Sequence, residues 1–78
     1  MNLHEKARTA AEEMMRRHGV DNAIRTVRRS MEANRSDHIE FIKVGRPHDA
    51  HRAENAMFLD GEVLRILREE RKSREGER

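Results

Sequence analysis

Hydrophobic positions recur along this chain at spacings of three and four residues, the signature of helices with one apolar face. Leu3, Ala7, Ala10, Ala11, Met14 and His18 form the first such stripe and predict a helix over 3–18. Asn2 can cap its start, with Glu5 three residues on as in a capping box. Gly19 supplies the left-handed position that ends it. Ala23, Ile24, Val27 and Met31 give a second stripe, predicting a helix over 22–33 capped by Asp21 and stopped at Asn34.

The segment SDHIEFIKV, residues 36–44, fits two readings. Ser36 can cap a short helix carrying Ile39, Phe41 and Ile42, or the β-branched and aromatic residues can form a strand. A lone strand has nothing in this chain to pair with, so helix is the expectation. Gly45 and Pro47 mark a break, and Pro47 suits the first turn of a last helix over 47–72. Ala50, Ala53, Ala56, Met57, Leu59, Val63, Leu64, Ile66 and Leu67 are its inward positions. Asp60-Gly61 can split it, with Asp60 capping the second half. A single glycine costs only about 1 kcal/mol against alanine, so an unbroken helix also fits. Glu70 and Arg74 form an i,i+4 pair. The expected fold is therefore all-α, a bundle of three to four helices. It would be a single domain over 1–73, with a frayed tail over 74–78.

Composition makes that bundle poor in core. Apolar residues are 35% of the 78 and charged ones 41%, so burial starts at a disadvantage against chain entropy. There is no cysteine to add a disulfide, no Trp or Tyr, and only Phe41 and Phe58 as aromatics. The expected state is a marginal monomer, a homo-oligomer, or a chain stabilised by a larger partner. The lack of cysteine fits a reducing compartment. No apolar run reaches the roughly 18 residues of a membrane span, and MNLHEKARTAAEE has no signal-peptide core. The expected location is the cytoplasm.

Charge is nearly even at +2, which argues only weakly for nucleic acid. The cations are 14 Arg against 3 Lys. The arginine fork suits carboxylates and phosphates, although a GC-rich genome is the simpler source of this bias.

The stretch GRPHDAHRAEN places His48 and His51 on one helix face with Glu54 a turn further on. Two imidazoles and a carboxylate can hold a divalent metal. The preferred reading is a solvated first turn, in which Asp49 favours the positive helix end. Arg46 and His51 also form an R-x4-H spacing that resembles the catalytic motif of the all-helical HEPN ribonucleases. The residue after the Arg is Pro47, where that family carries a polar one, and this chain is short for that fold. There is no phosphate-binding loop, no H-E-x-x-H, no Cys nucleophile, and no serine in a nucleophile elbow. The expectation is a protein that is not an enzyme and needs no metal or cofactor.

Two binding modes follow. Met14, Met15, Met31 and Met57 suit an adaptable protein interface as well as a core. RRHGVDNAIRTVRRS can be read as a helix–turn–helix, with Arg25, Arg28 and Arg29 facing phosphates or guanine edges. Against that, Glu12, Glu13 and Glu32 flank the patch and no aromatic residue lies nearby for stacking.

Arg17-His18-Gly19, the Ala/Arg-rich residues 23–33, and Ser36-Asp37 through Phe41 resemble small helical proteins of α-proteobacterial phages and prophages. The likeness covers residues 10–44, and GRPHDAHRAEN has no counterpart in it. Some such proteins are similar to anti-CRISPR and other anti-defence inhibitors. The resemblance implies a non-enzymatic protein that occupies a surface of a host nucleoprotein complex. Its candidate contacts are Arg25, Arg28 and Arg29 on one face, and Glu12, Glu13, Asp37 and Glu40 toward basic channels. The expected partner is thus a larger host protein or ribonucleoprotein. Direct nucleic-acid binding is the alternative, a homo-oligomer stays open, and no membrane is involved.

Overall fold

A computed structural model describes residues 2–76 as three helices: α1 Leu3–His18, α2 Val20–Lys43 and α3 Pro47–Gly76. The first cap forms as expected. Asn2 Oδ1 accepts the Glu5 backbone N–H at 2.8 Å. Glu5 reciprocates at the Asn2 side-chain amide, 3.5 Å away, where a full capping box would use the backbone N–H.

Gly19 alone joins α1 to α2. Its N–H reaches the Met15 carbonyl at 2.9 Å, and its own carbonyl accepts the Ala23 N–H at 2.9 Å. One residue thus closes one helix and opens the next, which its φ of 76° permits. The second helix therefore begins at Val20, ahead of the expected Asp21 cap. Asp21 lies in its first turn, where its charge favours the positive helix end, and approaches Arg71 of α3 at 3.9 Å.

The expected stop at Asn34 and fresh cap at Ser36 are both absent, and α2 is one helix of 24 residues. The Asn34 side chain does not turn back on its own backbone; it donates to Asp60 of α3 at 3.0 Å. Ile39, Phe41 and Ile42 are consequently helical, and their chain is the second half of α2. This helix ends in a Schellman motif. The Gly45 N–H bonds the Ile42 carbonyl at 3.2 Å and the Arg46 N–H bonds the Phe41 carbonyl at 2.8 Å, with Gly45 at φ 73°. Pro47 then occupies the first position of α3, where its missing N–H is not needed.

Asp60-Gly61 does not divide α3, which runs unbroken for 30 residues. The Asp60 carboxylate is engaged by α2 and so caps nothing. Residues 74–76 of the expected tail are helical, and Glu70 holds Arg74 at 3.1 Å; residues 77–78 lie outside the described residues.

Asp21–Arg71, Ser30–Asp60 and His38–Ala50 fix α2 and α3 as an antiparallel pair. Helix α1 packs across one face of that pair. Ala7 and Ala11 are fully buried there, and their small side chains let the helix axes approach. The shared core is Ala7, Ala11, Ala23, Ile24, Val27, Val63, Leu64 and Leu67. Ala50 and Ala53 are buried further along the pair. Among the described residues, five of the ten buried apolar ones are alanine, and Leu67 is the one large side chain completely enclosed. The molecule is long and thin, 50 × 25 × 19 Å, and leaves Leu3, Ile39, Ile42, Val44 and Phe58 about half exposed or more.

Candidate partner-binding groove

The α2–α3 pair has two faces, and α1 covers only one. Ala10 and Met14 of α1 meet Thr26, Val27 and Ser30 of α2 and Leu59 and Val63 of α3 on the covered side. The uncovered side is a groove of about 430 Å³. Met31, Met57 and Leu64 line its apolar part, and Arg28, Glu32 and Arg35 of α2 and Arg68 of α3 are its charged walls. Arg28, Met31, Arg35, Ile39 and Ile42 recur at spacings of three and four, so the apolar strip continues along α2 beyond the groove. Ile39 is 45% exposed and Ile42 59%, a considerable area for a chain this short of core.

The arginines divide into two sets. Arg16, Arg17, Arg46, Arg65, Arg71 and Arg74 each have a carboxylate partner. Arg25, Arg28, Arg29, Arg35 and Arg68 form no ion pair among the described residues, and neither do Arg8 of α1 and Arg52 of α3. Five of these seven, Arg25, Arg28, Arg29, Arg35 and Arg68, lie along the outer side of α2 and across the groove. Arg25, Arg28, Arg29 and Glu32 also surround a second, shallow depression. A near-neutral chain therefore carries concentrated positive charge on the face that α1 leaves open.

The other expected contact residues lie apart from this face. Glu12 and Glu13 are on α1, and Glu13 is already held by Arg16 at 3.0 Å and Arg17 at 2.8 Å. Asp37 and Glu40 are exposed on the second half of α2; Asp37 borders a shallow depression with Asn34, Phe41, Asp49, Arg52, Ala53 and Ala56. Neither acidic pair lines the groove or the depression of Arg25, Arg28 and Arg29; Asp37 shares its own depression with Arg52.

His48 and His51 are exposed in the first turns of α3, with Glu54 partly buried beyond them. No group of three or more His, Cys, Asp or Glu residues converges on a metal position among the described residues. His38 of α2 donates Nδ1–H to the Ala50 carbonyl at 2.9 Å. Arg46 of the R-x4-H spacing is bound to Asp49 at 2.6 Å, with its guanidinium 5.5 Å from the Phe41 ring centroid. It serves there as a clasp on the α2–α3 turn.

The most perturbed carboxylate joins α1 to α3. Glu62 accepts from Arg65, which also reaches Glu69 at 2.8 Å, and it meets His4 Nδ1 at 3.2 Å. His4 Nε2 in turn accepts from Arg8 at 3.3 Å. The Arg65 hydrogen bond first, and the His4 bond second, bring the Glu62 carboxyl down from 4.5 to about 2.

Sequence reasoning found Arg25, Arg28 and Arg29 but not Arg68 or the apolar strip beside it. The spacing of Met57, Gly61, Leu64 and Arg68 places them on one side of α3. What it does not give is which side of α2 they face. No helix of the described residues is long and apolar enough to cross a membrane. Comparison of the chain with protein-family models, curated proteins and solved structures gives no match.

Proposed function

We propose that this chain is a non-catalytic binding module that takes a protein partner on the α2–α3 face opposite α1. The observation that carries the reading is the combination of an apolar groove with walls of unpaired arginine. Partly buried Met31 and Met57 and exposed Ile39 and Ile42 supply adaptable apolar contact, and arginine supplies directional pairing. Protein interfaces are enriched in both. The resemblance of residues 10–44 to small phage proteins supports a finer version. In it the partner belongs to a host nucleoprotein defence complex, and the module acts by occupying its surface.

An affinity pull-down of the tagged chain from a bacterial host, with and without nuclease, tests the reading. A stoichiometric protein partner that survives nuclease is expected, and an Arg28→Glu, Arg35→Glu, Arg68→Glu triple variant is expected to lose it. Recovery unchanged by the triple variant removes the groove from the account.

Arg25, Arg28 and Arg29 give a second reading, nucleic-acid binding, because they stand together without ion partners. The absence of Trp and Tyr removes most stacking contacts, so phosphate pairing would dominate. Affinity for an oligonucleotide would then fall steeply as salt rises, and a flat salt response excludes it.

A further inference from the structure

We infer that the groove takes one amphipathic helix with acidic flanks from its partner, as a fourth helix laid against α2 and α3. This rests on the protein-binding reading above and names the class of partner surface.

The shape of the site selects a helix. The groove runs between two antiparallel helices, and the described part of the chain has no strand whose edge an extended segment could join. None of the described residues lining the groove is aromatic, which leaves a proline-rich segment no ring to dock on. The strip from Arg28 to Ile42 is about 21 Å long at 1.5 Å per residue, enough for roughly four turns of a docked helix. Helix α1 already uses this mode on the opposite face, lying across the same pair through a stripe spaced by three and four.

Charge selects the acidic flanks. Arg28 and Arg35 stand on one wall and Arg68 on the other, so a docked helix meets cations along both its edges. Among the described residues, Glu32 is the only carboxylate lining the groove. A second copy of this chain is a poorer match. The apolar stripe of its α1 is already packed on its own α2–α3 pair, and Glu13 of that helix is held by Arg16 and Arg17.

The test is a titration of the isotope-labelled full chain with two synthetic peptides, followed by backbone amide NMR. Both peptides would be about 18 residues long with the same Leu/Ile stripe. One is flanked by Glu and the other by Lys. The Glu peptide is expected to shift Met31, Met57, Gly61 and Leu64 and to bind about tenfold tighter, the sum of a few exposed ion pairs. Protein carrying Arg35→Glu and Arg68→Glu should reverse that order while keeping its circular-dichroism spectrum. Met57→Gln should weaken both peptides.

Equal affinity for the two peptides, or binding of neither, overturns the inference. So does a single-stranded oligonucleotide that shifts the same amides and displaces the Glu peptide, or sedimentation showing that the groove is closed by a second copy. The two readings fail separately. A cellular partner lost on groove charge reversal, with no binding of the Glu peptide, keeps the groove and removes the helix. Insensitivity of both to charge reversal removes both.

Discussion

The Asn34 amide donates to the Asp60 carboxylate at 3.0 Å, joining the middle of α2 to the middle of α3. Ser30 donates to the same oxygen at 2.9 Å from one turn earlier in α2. Two donors on adjacent turns meeting one acceptor fix how far the helices can slide. Asp60→Ala should therefore destabilise the fold by about 1–3 kcal/mol, since it leaves the half-buried Asn34 amide unmatched. Urea unfolding of Asp60→Ala, Asn34→Ala and the double variant checks this. Simple additivity would show that the bond contributes nothing to register.

Two glycines should respond in opposite directions. Gly61 lies inside α3, and a Cβ there would meet nothing within 4 Å. Gly61→Ala should raise stability by about 0.5–1 kcal/mol. At Gly19 space is equally open, but φ is +76°. Gly19→Ala should lower stability by about 1–2 kcal/mol. Thermal melts of the pair separate helix propensity from backbone strain, and a shared direction would contradict the helix boundaries.

Leu67 is the largest side chain with no solvent exposure. Its truncation to alanine should cost about 2–5 kcal/mol, a large part of the stability open to a domain of this size. Circular dichroism at ambient temperature should show Leu67→Ala partly or wholly unfolded. Phe58→Ala, at a 60% exposed position, should leave the helical signal intact.

The Glu62 carboxyl titrates at about 2 in the folded chain against an ordinary value of 4.5. A depressed carboxyl stabilises the fold above its unfolded value. That contribution fades as pH falls from about 4.5 and is gone below about 2. Wild type should thus melt higher than Glu62→Gln at neutral pH, and the gap should close in acid. A gap that stays constant or widens on acidification would contradict the Arg65 and His4 pairing.

Helical class, the first helix and the Gly45–Pro47 turn were legible because each has a local cause: a cap, a positive-φ glycine, a proline at the first helical position. The length of α2 was not. Asn34 and Ser36 are residues that end helices when their side chains bond nearby backbone, and here Asn34 bonds across to α3. Asp60-Gly61 misleads for the same reason, since the carboxylate that would cap a new helix is taken by α2. The arginines of α2 were visible as a patch. Their relation to Met57, Leu64 and Arg68 depends on which face α1 covers, a tertiary choice that no local pattern encodes.

The most direct measurement is site-specific photocrosslinking in a bacterial cell from position 57, on the groove, and position 9, exposed on α1. The account predicts a discrete protein crosslink from position 57 that the Arg28→Glu, Arg35→Glu, Arg68→Glu variant abolishes, and none of that size from position 9. A crosslink confined to position 9, or one at position 57 that nuclease digests, would contradict it.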